Sequence, residues 1–264
     1  MTLFDKWPHR IATDLKASIA FCTRLPIGDA ASAGSDVARA SWALPLAGAA
    51  VGAIGALVYS IAGALWLAPS IAAALALAAT AAVTGALHED GLADTADGFG
   101  GGQDREGKLA IMRDSRLGTY GACALLLSFL LRWSALAAIA NPVAVSMTLI
   151  ASHTAARAPL PMFMRLVPRA RGDGLSAGAG EPSRESAAAA CVIGVIVLCA
   201  ALGPVAGTIG VALLIGAGLL MGSLSRRQIG GQTGDVLGAL EQVNEVIVLL
   251  IAAVLLKPTF CGPL

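Results

Sequence analysis

Between Ala40 and Leu87 the chain runs for 48 residues without an Asp, Glu, Lys or Arg, and between Ser186 and Ser225 for another 40. About 20 apolar residues cross a bilayer as a helix, so each run can hold two crossings. No soluble core needs uncharged stretches of that length. Composition agrees: 56% of the 264 residues are hydrophobic, 13% are charged, and the mean hydropathy is +0.76. A soluble domain carries roughly 25% charge, so this chain lacks the polar surface to cover a globule. A soluble enzyme, a disordered tail and a secreted disulfide scaffold are excluded. Met1 to Lys16 carries Asp5, Lys6, Arg10, Asp14 and Lys16 with no continuous apolar core, which is not the pattern of a cleavable signal peptide. The expected fold is all-α: one polytopic membrane domain over residues 1–264.

Turn formers divide the apolar runs. Ser41 to Leu67 reads as a first crossing and Ser70 to Leu87 as its return across Pro69. Gly118 to Ala140 and Val143 to Met164 form a pair around Asn141-Pro142, and Ala187 to Leu202 and Val205 to Leu224 a pair around Gly203-Pro204. Pro ends the helix before it and can open the next. A last stretch, Val246 to Leu256, has only eleven uncharged residues and either crosses with its polar flank (Gln242, Asn244) or merely docks. Six or seven helices result. The three tight turns carry no Lys or Arg, whereas the other connections hold fifteen of the eighteen. The positive-inside rule makes that side cytoplasmic. The exceptions are Arg132, Arg157 and Lys257. Gly48/Gly52 and Gly218/Gly222 have the small-xxx-small spacing that lets helices in lipid approach closely. The cysteines (Cys22, Cys123, Cys191, Cys199, Cys261) form no ligand-like cluster and read as small apolar side chains.

Net charge is +1, which supplies no field for nucleic acid; the position of the charges is what informs. After the second crossing comes His88-Glu89-Asp90-Gly-Leu-Ala-Asp94-Thr-Ala-Asp97-Gly98. On a helix, Asp90, Asp94 and Asp97 fall within about 60° of one another. Three carboxylates on one stripe repel unless a cation sits among them, and hard oxygen ligands suit Mg²⁺ or Ca²⁺. The alternatives are a solvated acidic face, or a loop at Gly91 and Gly98 that dissolves the stripe. Leu92, Ala93 and Ala96 between the acids favour a buried flank and hence a metal. Next, Arg113-Asp114-Ser115-Arg116-Leu117-Gly118-Thr119 sets two arginines beside a hydroxyl and a glycine, a combination suited to phosphate or to anchoring on anionic lipid. Third, Gly231-Gln-Thr-Gly-Asp235 precedes Glu241 and Glu245, which share a helical face. Arg132 and Arg157 lie mid-span, where a charge needs a partner or a wet cavity. Arg132 is a candidate counter-charge for acidic groups or for a bound phosphate, and His153 reads as a packed polar residue. All three clusters fall on the cytoplasmic side, in active-site loops over 88–119, 165–186 and 223–245.

Taken together, Phe21-Cys-Thr-Arg24-Leu-Pro26, His88 to Gly98, Met112-Arg-Asp-Ser-Arg-Leu-Gly-Thr-Tyr-Gly121, Pro168-Arg-Ala-Arg171 and Gly231 to Glu241 resemble, in the same order, the motifs of the cobalamin synthase family, adenosylcobinamide-GDP ribazoletransferases. The match runs from about residue 18 to the C-terminus. The resemblance implies Mg²⁺-dependent transfer at the cytoplasmic face of a bacterial inner membrane. α-Ribazole or its 5′-phosphate would attack the cobinamide-side phosphate of adenosylcobinamide-GDP, releasing GMP and giving adenosylcobalamin or its phosphate. On this resemblance Asp90, Asp94 and Asp97 bind metal, and Asp114 and Asp235 are further ligands or the base. Arg113 and Arg116 hold the diphosphate; Arg24, Thr119 and Arg132 lie towards the substrate, and Glu89 and Glu241 support the site. The implied partners are the two small-molecule substrates and the lipid bilayer; a homo-oligomer is compatible with all of this.

Two other classes compete. A CDP-alcohol phosphotransferase places Ala-Arg after its Asp-Gly pair and two further Asp downstream of a Gly; here Asp94 follows Ala93 and no such downstream pair exists. An ion-coupled transporter puts carboxylates near mid-bilayer in broken helices of inverted repeats. Here the acids gather at helix ends on one side.

Overall fold

The computed structural model describes residues 3–27, 37–174 and 178–256. An amphipathic helix α1 (Leu3–Cys22) and a short α2 (Val37–Ala40) lead through a 3₁₀ turn into α3 (Leu44–Ala64). Then follow α4 (Pro69–Thr84), α5 (Leu87–Gly101), α6 (Arg105–Ile111), α7 (Thr119–Ile139), α8 (Pro142–Arg157), α9 (Leu160–Leu166), α10 (Arg184–Leu202), α11 (Pro204–Ile229) and α12 (Gly234–Leu255). No strand occurs among the described residues; an isolated bridge pairs Arg169 with Gln232. Five helices are long and apolar enough to cross a membrane, six if α4 and α5 count as one bent span. The chain is a polytopic helical membrane protein.

The expected turns are where the sequence puts them. Pro69, Pro142 and Pro204 each open a helix at its first position, where the missing N–H has no partner to lose. Asn141, Ser183 and Thr233 cap α8, α10 and α12 by accepting from backbone amides of the first turn. Leucines on the outer faces, such as Leu126, Leu127, Leu219 and Leu220, are exposed, as a lipid-facing surface requires.

Three expectations are settled or change. The last stretch crosses with its polar flank and does not merely dock: α12 is 22 residues long and takes in Gln242 and Asn244. Its polar residues Glu241, Gln242, Asn244 and Glu245 are buried against other helices, so counting uncharged residues undercounted the span. The fourth crossing breaks: α8 ends at Arg157, and α9 restarts around Pro159 and Pro161, which cannot continue the α8 ladder. Segments 88–119 and 223–245 are mostly helix rather than loop.

The core forms around α8, which packs between α3 and α12. Gly48 and Gly52 let α3 touch its backbone: a Cβ at Gly48 would sit 2.1 Å from the His153 carbonyl oxygen, and at Gly52 2.5 Å from that of Leu149. The small-xxx-small reading therefore holds there. It does not hold at Gly218, where a side chain would meet nothing within 4 Å.

Candidate active site

The site begins with a corner. Gly85 and Ala86 both take left-handed backbone conformations, with φ of 64° and 57°. Such a conformation is strained for Ala, and it bends α5 by 88° from α4. α5 therefore runs nearly perpendicular to α4, and it is not among the five helices that are by themselves long and apolar enough to span. The acidic stripe is helical, and burial is graded along it: Asp90 is exposed, Asp94 half-buried and Asp97 buried.

α5 crosses α12 with almost no separation. A Cβ at Gly91 would be 2.8 Å from the Asp235 carbonyl oxygen and 3.2 Å from the Gly238 Cα. Only glycine permits that approach, and it brings Asp235 beside Asp90 and Asp94 although 141 residues separate Asp94 from Asp235. Burial, with the neighbouring carboxylates of Asp90, Asp235 and Asp97, pushes the Asp94 carboxyl up to about 7. The fold has gathered several carboxylates here with Arg171 as the cation that acts against them.

Asp97 also has a structural role. Its Oδ2 accepts from the Gly118 amide (2.8 Å) and its Oδ1 from the Gly121 amide (2.9 Å). It thereby holds the positive N-terminal end of α7 against α5. After Asp90, the carboxylate that acts most on Asp94 is that of Asp235.

A cation reaches the same cluster from the segment after α9. Arg171 NH2 lies 3.3 Å from Asp235 Oδ2, which also accepts from the Thr233 hydroxyl at 3.1 Å. The segment carrying Arg171 is stitched to the turn before α12. Ala170 N donates to Gln232 O (2.9 Å), Gln232 N to Pro168 O (2.8 Å), and Arg105 to Ala170 O (2.7 Å).

The other expected residues are placed as follows. Asp114 pairs with its neighbour Arg116, whose Nε lies 2.9 Å from Asp114 Oδ2, and this holds the Asp114 carboxyl below its usual range. Arg113 reaches Asp173, with NH2 at 2.8 and 2.7 Å from its two oxygens. Thr119 opens α7 and is exposed. Arg24 lies over the Gly85 corner, where a Cβ would meet its Nε at 2.6 Å. Among the expected acids, Asp90, Asp235 and then Asp97 are the carboxylates that act on Asp94.

Arg132, Glu89 and Glu241 belong to a second, buried set beneath it. Arg132 NH1 bridges Glu89 Oε1 and Glu245 Oε1, each at 3.2 Å. Arg157 NH1 is 2.6 Å from Glu241 Oε1, and His153 Nδ1 is 3.4 Å from Glu245 Oε2. Gln242 joins Glu89 to Glu241, at 3.4 and 3.0 Å. Arg132 is therefore a counter-charge to carboxylates. One atom from each of His153, Glu241 and Glu245 lies within 4.8 Å of the others, so a metal could sit there by distance. Two guanidiniums already fill that role, and they repel a divalent ion. By chemistry Mg²⁺ suits Asp90, Asp94 and Asp235 better, which offer hard oxygens and partial exposure with Arg171 as the cation that acts on Asp94, although their oxygens do not converge within 4.8 Å of one another as those of His153, Glu241 and Glu245 do.

Sequence reasoning gave no role to Arg171, Asp173, His88 or Glu245. Arg171 lies in the Pro168–Arg171 string, and Glu245 stands one helical turn after Glu241, so both signals were present.

A family model described as cobalamin-5-phosphate synthase matches residues 14–253. Curated relatives named adenosylcobinamide-GDP ribazoletransferase include one from Bradyrhizobium diazoefficiens, 60% identical over 93% of this chain and 95% of its own length. One from Mesorhizobium japonicum is 51% identical over 95% and 96%, and one from Azorhizobium caulinodans 42% over 94% and 98%. No solved structure matches. With an acidic crossing of α5 and α12 that lies inside the matched residues, the chain belongs to the cobalamin-5-phosphate synthase family.

Proposed function

We propose that this chain joins adenosylcobinamide-GDP to α-ribazole or α-ribazole 5′-phosphate in a Mg²⁺-dependent reaction at the cytoplasmic face of the bacterial inner membrane. The observation that carries the reading is the meeting of Asp90, Asp94 and Asp235 at the Gly91 crossing, with Arg171 at the edge. A ribose hydroxyl oxygen of the acceptor attacks the cobinamide-side phosphorus. The bond from that phosphorus to the bridging oxygen of the diphosphate breaks, and GMP leaves. Adenosylcobalamin, or its 5′-phosphate, is the other product.

Asp90, Asp94 and Asp235 would hold Mg²⁺, which when bound neutralises charge on the phosphate oxygens. The chain's own groups do the rest. Asp235 Oδ2 is oriented by Thr233 and Arg171, leaving Oδ1 for the acceptor proton or for the ion. Asp97 fixes α7 against α5, so the two walls of the site keep their spacing. The buried Arg132 set ties Glu89, next to Asp90, to Glu245 on the helix of Asp235.

Nucleotide release tests the reading. Purified protein in lipid vesicles, given adenosylcobinamide-GDP and α-ribazole with Mg²⁺, should release GMP in step with corrinoid product. CMP release from a CDP-alcohol, or ion flux without nucleotide turnover, would overturn it.

A further inference from the structure

From the acidic cluster outward, charge alternates along four side chains. Asp235 Oδ2 is 3.3 Å from Arg171 NH2, Arg171 Nε is 3.7 Å from Asp173 Oδ1, and Asp173 is 2.7 Å from Arg113 NH2. One carboxylate thus stands between two arginines, beside the carboxylates that gather at Asp94. Neither arginine is fully used. Arg171 is mostly buried, yet its Nε and NH1 have no hydrogen-bond partner among the described residues. Buried guanidinium donors without acceptors are uncommon, because each loses its water without replacement. Arg113 turns a single nitrogen to both oxygens of Asp173, not the two-pronged fork that a planar anion can receive. Asp173 itself is held loosely: its side chain is 66% exposed and that of Arg113 54%.

We propose that Arg113 and Arg171 form the receiving site for a diphosphate, and that Asp173 occupies it as an internal stand-in which the incoming anion displaces. The inference rests on the transferase reading for the identity of the donor, a nucleotide-activated substrate, but not for the chemistry of the site. A diphosphate carries more charge and more acceptor oxygens than one carboxylate, so it engages both guanidiniums where Asp173 engages chiefly one. Gly174, at φ 88°, lies against the Arg171 guanidinium, where an added Cβ would be 3.4 Å from Nε and NH2. The Arg171 fork is therefore held by the chain above it and by Asp235 beside it.

The stand-in makes a prediction opposite in sign to that of a structural residue. An exposed carboxylate–arginine pair in competition with the ligand should weaken its affinity by about two- to fivefold. Asp173→Ala should therefore bind GDP about two- to fivefold more tightly than the parent at fixed ionic strength, and the gain should shrink as salt is raised. Arg171→Ala and Arg113→Ala should each weaken GDP by about tenfold or more. Adding Asp173→Ala to the Arg113→Ala, Arg171→Ala double variant should restore nothing. Calorimetric titration of GDP into folded protein in vesicles, with melting temperatures as the check on folding, reads all of these. Equal or weaker binding by Asp173→Ala, with an unchanged melting temperature, overturns the inference; Asp173→Asn, which keeps the shape, repeats the test if Ala unsettles the segment. GMP release on the same preparations separates the two readings. Tighter GDP without turnover sinks the transferase and leaves the diphosphate site standing. Turnover without tightening does the reverse.

Discussion

Replacing Arg132 by Met would keep most of its stem and remove the charge that Glu89 and Glu245 share. Arg132 is 1% exposed, as is the Glu245 side chain, while that of Glu89 is 8% exposed. One nitrogen serves both carboxylates at 3.2 Å, and the guanidinium also stacks 4.6 Å from the Phe129 ring centre. Without it, three buried carboxylates face Arg157 as their one arginine. Removing one partner of a buried pair costs about 3–5 kcal/mol, because the other charge stays behind. An ordinary interhelical hydrogen bond in a membrane contributes only about 0.6 kcal/mol. The two accounts are far enough apart to measure. Equilibrium unfolding in mixed micelles should show Arg132→Met less stable by about 3–5 kcal/mol. Adding Glu245→Gln should recover more than about 1 kcal/mol of it, since the stranded charge is then gone. Arg132→Met losing less than about 1 kcal/mol would show that the cluster is not held by charge and would refute the reasoning.

Other predictions follow from the acidic crossing. Asp94→Asn should abolish GMP release while the protein still inserts and folds; activity within about threefold of the parent, under roughly 1 kcal/mol of barrier, would remove Asp94 from the metal. Gly91→Ala places a methyl 2.8 Å from the Asp235 carbonyl, so α5 and α12 must part. We expect about 1–3 kcal/mol of lost stability together with a weaker Mg²⁺ dependence, and a variant normal in both would deny the close crossing. For pH, the unfolded Asp94 releases its proton near 3.8 and the folded one near 7. Between those values the unfolded chain holds fewer protons, so this group lowers stability as pH rises from about 4 to about 7 and adds no further change above. Melting temperatures in chelator should fall across that window, and Mg²⁺ should reverse the fall most strongly above pH 7. A Mg²⁺ effect equal at pH 5 and pH 8 would contradict it.

The divide between what was legible and what was not follows sequence distance. Two uncharged runs and Pro-led turns are local, and they fixed the class, most helices and the helical acidic stripe. The same locality left α12 undecided between crossing and docking, because its carboxylates are neutralised only by arginines from α7 and α8. Nor could it show that Asp97 holds the start of α7 through the Gly118 and Gly121 amides, since that depends on how α7 docks. Arg113 could be seen as an anion binder, but its meeting with Asp173, 60 residues on, could not.

Hydropathy and turn chemistry, properties of neighbours along the chain, determined that this protein is a bundle of membrane helices with acids and arginines at their ends. Which carboxylate meets which cation was decided only when Gly91 let α5 rest on α12 and the Arg171 segment was stitched beside them. Charges act through space over a few ångströms, and the spacing of those side chains exists only once distant backbones have packed.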